Sequence, residues 1–133
     1  ELFETYGRLS NIFLTHGIPL QVTSSIGNEQ TIVKNMLSFI DAHYKESISL
    51  NDLAQAMNYS YAFLSKLCKK SLGVDFSTYV NAKRVMYAMQ LLQQSNLSIG
   101  EICFASGFQS IRTCNRAFLE TCGKSPSSVR NAL

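Results

Sequence analysis

Residues 98–123 read SIGEICFASGFQSIRTCNRAFLETCG, and this stretch decides the fold. Ser98 and Glu101 have the spacing of a capping box, which begins a short helix. Gly107 and Phe108 indicate a turn out of that helix, and Gly123 indicates the end of a second helix. The stretch therefore predicts two helices joined by a tight turn.

The same pattern also occurs upstream, where residues 49–73 read SLNDLAQAMNYSYAFLSKLCKKSLG; we call residues 49–73 the first copy and residues 98–123 the second copy. Up to the turn, each residue of the first copy stands 49 residues before its counterpart, as Ser49 does before Ser98. After the turn the offset is 50 residues, because Gln109 is inserted in the second turn. The helix caps, the inward apolar positions and the helix stop signals all agree between the two stretches. Because each of these features has a separate physical cause, we infer two copies of one supersecondary unit.

The residues around the two copies complete an all-α pattern. Asp75 is the predicted N-cap of a long helix that reaches about Gln94, and Ser125 followed by Pro126 predicts the start of a last short helix. Upstream, Asn28 is a candidate N-cap for another amphipathic helix.

The first residues of the chain are predicted to form a separate segment. Residues 2–15 have the apolar period of a helix, and residues 21–27 are polar and without period, as in a linker. We expect residues 1–28 to be an N-terminal helix and linker left from an upstream domain, residues 29–94 to form the first helix-turn-helix subdomain with the long helix, and residues 95–133 to form the second.

Composition and cysteine spacing exclude several classes of protein. No apolar stretch of the 133 residues approaches the ~20 needed to span a bilayer, so we expect no membrane partner. The four cysteines lack C-x-x-C spacing and stand among apolar residues, which predicts four buried, reduced thiols and a cytoplasmic location. A metal site formed by Cys114, Cys122 and a histidine is the alternative, although neither His16 nor His43 shows a ligand pattern.

No catalytic constellation is visible. The two histidines lie outside the repeat that holds the cysteines, and paired carboxylates and a Gly-rich phosphate loop are lacking. We therefore expect no catalytic, cofactor or metal site.

The charge is unevenly distributed along the chain. Residues 1–57 carry three basic and six acidic side chains, whereas residues 58–133 carry nine basic and three acidic ones, for net charges of −3 and +6. A polyanionic partner for the second part is favoured.

A short helix, a tight turn and a second helix are typical of the helix-turn-helix, whose second helix enters the major groove of DNA. The outer face of that helix is basic in the first copy and mixed in the second. Arg and Lys suit guanine edges, Asn suits adenine, and apolar groups suit the thymine methyl. The residues on these faces are Tyr61, Ala62, Ser65, Lys66, Lys69 and Lys70 in the first copy, and Ile111, Arg112, Asn115, Arg116 and Leu119 in the second.

The length of the long helix suits the binding of two helix-turn-helix units to one duplex. About 20 residues give about 30 Å at 1.5 Å per residue, close to the DNA pitch of about 34 Å. A monomer is therefore expected to read an asymmetric double-stranded site.

Competing interpretations remain for several of these residues. The lysines of the first copy fit a solvated face, Arg112 and Arg116 fit ion pairs with Glu120, and Arg84 on the apolar side of the long helix fits a structural hydrogen-bonding group. A helical protein-interaction module without sequence-specific DNA binding is the alternative function.

The chain from about residue 30 to residue 133 resembles the C-terminal DNA-binding domain of the AraC/XylS family of bacterial transcription regulators. The residues that carry the resemblance are the Ser-Leu-x-x-Leu-Ala run at residues 49–54, residues 64–73, Tyr79, Arg84, Ala88, Leu91, Leu92, Ile99, Glu101, Ile102, Gly107, Phe108, Arg116, Phe118, Gly123, Pro126 and Arg130. The resemblance implies an all-α, homeodomain-like fold of two helix-turn-helix subdomains joined by a long central helix.

Ten residues are expected to contact DNA. By resemblance, the base contacts are Ala62, Ser65 and Lys66 in the first copy and Ile111, Arg112, Thr113, Asn115 and Arg116 in the second. Lys69 and Lys70 are interpreted as phosphate clamps because they lie near the end of their helix. Leu119 departs from the family, where Lys is usual, which predicts a weaker phosphate grip in the second copy. The resemblance also implies an upstream sensor or dimerisation domain and contact with RNA polymerase.

Overall fold

The computed structural model describes the backbone of residues 24–133 and the side chains from Asn28 onward. Within that range the chain forms seven helices and no strand, which confirms the all-α prediction. The helices are α1 (Ser24–His43), α2 (Leu50–Met57), α3 (Tyr61–Leu72), α4 (Phe76–Gln94), α5 (Ile99–Ala105), α6 (Ile111–Cys122) and α7 (Pro126–Asn131). The helix predicted for residues 2–15 lies outside the described residues. None of the helices described has the length and apolar character needed to cross a membrane.

Helix α1 corrects the prediction at its N-terminal end. It begins at Ser24, so Asn28 lies inside the helix and part of the predicted linker at residues 21–27 is helical. Ile32, Met36 and Ile40 bury one face of α1 and fix its later turns. Adding one more turn to a formed helix needs propagation only, and residues 24–27 contain no proline to prevent it.

Side-chain caps begin the six following helices, and those at Ser49, Asp75, Ser98 and Ser125 lie where the sequence predicts them. Ser49 and Ser98 form capping boxes with Asp52 and Glu101. Ser60, Asp75, Ser110 and Ser125 each accept a hydrogen bond from the backbone N–H three residues later. Each cap satisfies a backbone donor that the first turn of a helix leaves free.

The two turns show how the copies correspond in three dimensions. Asn58 and Gly107, 49 residues apart, both have positive φ, at 59° and 106°. Asn tolerates the left-handed conformation better than most residues, and glycine adopts it without steric cost. The two copies therefore leave their first helices through backbone turns of the same hand.

The long helix α4 belongs to two hydrophobic cores. Its first part contributes Phe76, Tyr79 and Val80 to a core shared with α1, α2 and α3. From Ala82 onward it contributes to a core shared with α5, α6 and α7. The predicted boundary between residues 94 and 95 follows the end of α4, whereas the two cores meet within that helix. Helix α4 thus holds both helix-turn-helix units.

The prediction of four reduced thiols is wrong for two of the cysteines. Cys103 in α5 and Cys114 in α6 form a disulfide, with their Cα atoms 5.8 Å apart. They occupy the positions that Ala54 and Leu64 hold in the first copy, where two helices of the unit face each other across the core. The two cysteines are 11 positions apart in the sequence, a spacing that matches no redox motif, so the pair is visible only in the folded unit.

Cys68 and Cys122 are buried thiols that take no part in the disulfide, as predicted. Burial raises the pKa of the Cys68 thiol to about 11, so this group stays protonated at neutral pH and behaves as a small apolar core residue. Among the side chains that the structure describes, no three metal-ligating groups come together, and Cys114 is committed to the disulfide.

Candidate nucleic-acid interface

Helix α3 presents one polar face because its other face is fixed in the first core. Leu64, Leu67, Cys68 and Leu72 are buried at helical spacing. This packing turns Ala62, Lys66, Lys69 and Lys70 outward, and all four are exposed, while Ser65 is half-buried beside them. Helix α3 therefore displays all five residues predicted for it on its accessible side.

Helix α6 is held in the second core by the corresponding positions. Cys114, Ala117, Phe118 and Cys122 are buried. Ile111, Arg112 and Arg116 are exposed, and Thr113 and Asn115 are half-buried at the edge of the same face. The Thr113 hydroxyl lies 2.9 Å from the hydroxyl of the N-cap Ser110, so part of its hydrogen-bonding capacity is used within the turn. The five residues predicted for α6 are therefore all accessible.

The two faces correspond residue by residue. With the offset of 50 residues, Ala62 corresponds to Arg112, Ser65 to Asn115 and Lys66 to Arg116. Side chains suited to contact DNA bases therefore lie at corresponding positions of the two helices, although the residue types differ. The two units thus offer different surfaces on the same framework.

The ion pairs of this surface differ from the sequence-based alternatives. Within residues 28–133, neither Arg112 nor Arg116 forms an ion pair with Glu120, so both guanidinium groups are available to a ligand. Lys70 is already engaged, since its Nζ lies 3.0 Å from the Glu29 carboxylate on α1. Lys70 therefore also links α1 to α3, a contact that no local sequence pattern signals.

The predicted set omits Tyr61 and Leu119, two large exposed side chains on these faces. Tyr61 begins α3 at the position that Ile111 holds in α6, and it is 54% exposed. Leu119 corresponds to Lys69 and is also 54% exposed. The 50-residue offset is the signal that identifies Tyr61, because its counterpart belongs to the predicted set.

Two arginines outside the reading faces have structural hydrogen bonds. The Arg84 guanidinium donates to the carbonyl oxygens of Tyr44 at 2.6 Å and Glu46 at 2.8 Å, which confirms its predicted structural role. Burial lowers the pKa of Arg84 from its ordinary value. Arg130 donates to the carbonyl oxygens of Leu97 at 2.6 Å and Ser95 at 3.3 Å. Both arginines therefore donate to main-chain carbonyl oxygens of loops.

Comparison with known proteins identifies the fold and the family. Residues 53–132 match a family model described as a helix-turn-helix domain. The chain is 30% identical over 109 residues to the Msm operon regulatory protein of Streptococcus mutans, covering 82% of this chain and 39% of that protein. It is 33% identical over 101 residues to the regulatory protein PocR of Salmonella typhimurium, covering 76% of this chain and 33% of PocR. The chain therefore spans only about two fifths or less of these curated relatives.

Solved structures agree with this assignment. A transcriptional regulator from Chromobacterium violaceum with an AraC-type DNA-binding domain is 30% identical and superposes with a TM-score of 0.69, covering 78% of this chain and 93% of that one. The DNA-binding domain of AdpA, solved with a target DNA, shares the fold at 23% identity and a TM-score of 0.69, covering 74% of this chain and 88% of that one. The family is one of transcription regulators and not of enzymes. The chain belongs to the AraC-type family of helix-turn-helix DNA-binding domains.

Proposed function

We propose that this chain binds double-stranded DNA sequence-specifically, with α3 and α6 in successive major grooves of one duplex, and that it regulates transcription in this way. The observation that carries the proposal is that α3 and α6 have outer faces at corresponding positions, and that each helix packs in a core to which α4 contributes. AdpA, which has the same fold, was solved with its target DNA.

The side chains on α6 suit direct reading of bases. Arg116 and Arg112 carry bidentate donors that fit the O6 and N7 atoms of guanine, and Asn115 fits the N6 and N7 atoms of adenine. Ile111 offers an apolar surface to a thymine methyl. Both arginines are exposed and free of an ion pair with Glu120, which supports base contact over a surface charge network.

The side chains on α3 suit a contact dominated by charge. Lys66 projects from the middle of the exposed face, and Lys69 stands in the last turn, where a cation reaches a phosphate more readily than a base edge. Ala62 and Ser65 add one methyl group and one hydroxyl. Because Lys70 is shared with Glu29, Lys69 supplies most of the phosphate grip at this end. We therefore infer that the first unit specifies fewer bases than the second.

The dimensions of α4 support simultaneous reading. Its 19 residues give a length of about 28 Å at 1.5 Å per residue, close to the pitch of about 34 Å that separates successive major-groove segments. Because the two faces differ in chemistry, the proposed site is asymmetric, and one chain reads it without a two-fold partner.

Further partners belong to the whole regulator. We infer that residues 1–28 connect this domain to an upstream sensor or dimerisation domain, since the chain spans only a fraction of its relatives' length. We also infer contact with RNA polymerase and action on the nucleoid in the bacterial cytoplasm. The family resemblance supports these three inferences.

Selection from a randomised duplex pool of about two helical turns, repeated at several salt concentrations, tests the proposal. Enrichment of one asymmetric site with two informative blocks supports it, and the logarithm of the affinity is expected to fall steeply with the logarithm of the salt concentration. Lys34→Ala on α1 is a matched control for charge loss outside the two reading faces. Absence of binding at low salt contradicts the proposal and favours a protein-interaction module.

A further inference from the structure

The half-buried guanidinium of Arg84 holds the loop that leads into the first unit. Its Nε and Nη2 atoms donate to the Tyr44 and Glu46 carbonyl oxygens, while Nη1 lies 3.3 Å from the Asn81 Oδ1 atom on its own helix. These carbonyls lie in the loop at residues 44–49, which connects α1 to α2. Arg84 therefore ties α4 to the entrance of the first helix-turn-helix.

The turn of the second unit touches this same loop. A Cβ atom placed on Gly107 would stand 2.6 Å from the Tyr44 carbonyl oxygen, 2.8 Å from the Lys45 Cα atom and 3.0 Å from the Arg84 Nε atom. The turn thus approaches the loop of the first unit backbone to backbone, at a distance that only glycine permits. The adjacent Phe108 ring lies 5.9 Å from the guanidinium carbon of Arg84.

Aromatic and cationic contacts extend the same junction. The Tyr44 and Tyr87 rings meet edge to face with their centroids 6.2 Å apart, and the Lys45 Nζ atom lies 3.8 Å from the centroid of the Tyr87 ring. We call Tyr44, Lys45, Arg84, Tyr87 and Gly107 the inter-unit joint. The joint links the two units through a contact beside α4 and not only through the helix itself.

A second connection away from the helix axis restricts motions that one helix allows. A single helix leaves the units free to bend and twist about it, whereas a contact beside the axis opposes both. Gly107 and Phe108 lie in the turn that leads into α6, so the joint acts directly on the second reading helix. The orientation of α6 relative to α3 is therefore fixed on two sides.

We propose that the inter-unit joint sets the number of base pairs between the two blocks read by α3 and α6, with Arg84 and Gly107 as positioning residues. The inference rests on the proposed function, because it concerns the geometry of the same DNA site. One base pair moves the second block by about 3.4 Å along the duplex and about 35° around it. With a rigid joint, α6 cannot move to reach the displaced block. With a loosened joint, it can.

The test uses the duplex that the wild-type chain selects, with one base pair added to or removed from the gap between its blocks. The wild-type chain is expected to lose affinity at least about tenfold on the altered gaps, because the second unit no longer engages. Arg84→Lys keeps the charge but lacks the planar guanidinium that donates to both carbonyl oxygens. On the altered gaps, the affinity of this variant is expected to fall by less than about threefold. Gly107→Ala forces the loop and turn apart and is expected to change the preferred gap.

Arg130→Lys is the matched control. Arg130 also donates to two main-chain carbonyl oxygens, but both belong to the loop of the second unit, so its variant is expected to keep the wild-type gap preference. If Gly107→Ala does not fold, Tyr87→Leu, which removes an aromatic contact of the joint without touching a carbonyl, takes its place and is expected to relax the preference.

The outcomes separate this inference from the function on which it depends. A wild-type chain that selects no site contradicts the proposed function. The role of the joint is overturned if the wild-type chain binds only one gap and the folded Arg84→Lys and Tyr87→Leu variants show the same preference. That outcome leaves DNA binding intact. Equal relaxation in Arg84→Lys and Arg130→Lys also overturns it, because the effect then follows from general loss of stability.

Discussion

Arg84 and Arg130 hold the entrance loops of the two units in the same way, each from a helix that follows its own helix-turn-helix. Arg84 donates to two carbonyl oxygens at residues 44 and 46, and Arg130 to two at residues 95 and 97. Both loops end at an N-cap serine, Ser49 or Ser98. The two loops are therefore held by similar arginine contacts, although Arg84 and Arg130 are 46 residues apart and do not follow the 50-residue offset of the repeat.

The two arginines are expected to stabilise the fold. Arg84→Lys and Arg130→Lys should each lower the free energy of unfolding by about 1 to 3 kcal/mol, because each loses a part-buried hydrogen bond to a main-chain carbonyl oxygen, at Tyr44 or Ser95, and a second, exposed one. Urea unfolding followed by circular dichroism measures this change. Lys34→Ala, an exposed substitution on α1, is the control. Unchanged unfolding in both arginine variants would show that water replaces the guanidinium without cost.

Arg116 and Lys69 are expected to differ in the kind of affinity they provide. Arg116→Ala should cost about 1 to 3 kcal/mol on the preferred site and relax the preference at one base pair, because a bidentate contact to a base edge is lost. Lys69→Ala should weaken binding to all duplexes alike. Competition binding with single-base variants of the selected site distinguishes the two. An equal loss on every sequence for Arg116→Ala removes it from the base-reading residues.

Leu119 offers a test by gain of affinity. It is exposed at the position that Lys69 holds in the first unit, so Leu119→Lys should add one phosphate contact. The affinity should rise, and the plot of log affinity against log salt should steepen by about 0.9. The reciprocal Lys69→Leu variant should lower the affinity and flatten the plot by a similar amount. An unchanged salt slope in Leu119→Lys contradicts the placement of this end of α6 beside the phosphates.

The N-cap of α4 predicts a pH dependence of stability. The backbone N–H of Thr78 donates to the Asp75 carboxylate at 2.8 Å, and this bond, followed by the Thr78 side chain, lowers the pKa of Asp75 below its ordinary 3.8. The folded pKa is lower than the unfolded one, so the stabilisation is present above pH 3.8 and is lost as the pH falls through the folded pKa.

Asp75→Asn keeps an acceptor that does not titrate, so the unfolding free energy of this variant should fall less steeply in acid than that of the wild type. Thermal unfolding between pH 2 and pH 6 checks this, because that range brackets the ordinary carboxyl pKa of roughly 4. Parallel curves for the two proteins would show that the cap does not titrate in this range.

The disulfide predicts a count of reactive thiols. After unfolding without reductant, alkylation and mass spectrometry should label two of the four cysteines, Cys68 and Cys122, and after reduction all four. Reduction should also lower the stability by about 2 to 3 kcal/mol, because a closed loop of the unfolded chain is released. The double variant Cys103→Ala, Cys114→Leu copies the residues of the first core and should fold in either redox state. Four labelled thiols without reductant contradict the pair.

The elements that depend on local chemistry are predictable from the sequence. Caps such as Ser98 and Asp75, the positive φ at Gly107 and the burial of Leu64 follow from side-chain hydrogen bonding, glycine freedom and helical period. The position of the ten predicted DNA-contact residues on the exposed faces or at their half-buried edges follows from the same period, because burying one side of α3 or α6 turns the other outward. Their contact with DNA stays a prediction.

Contacts between distant residues are not predictable in this way. Lys70 with Glu29, Cys103 with Cys114 and the approach of Gly107 to Tyr44 arise from how helices pack, and no spacing in the chain signals them. The start of α1 was misplaced because polar residues without period still extend a helix that packing has already formed.

Protection of guanine N7 atoms in the major groove of the selected duplex shows which base pairs α3 and α6 contact. We expect two protected blocks about ten base pairs apart, with Arg116→Ala removing protection from one block only and Lys66→Ala weakening it at the other. One protected block, or two blocks that both disappear with either substitution, would contradict the claim that α3 and α6 read successive major grooves of one duplex.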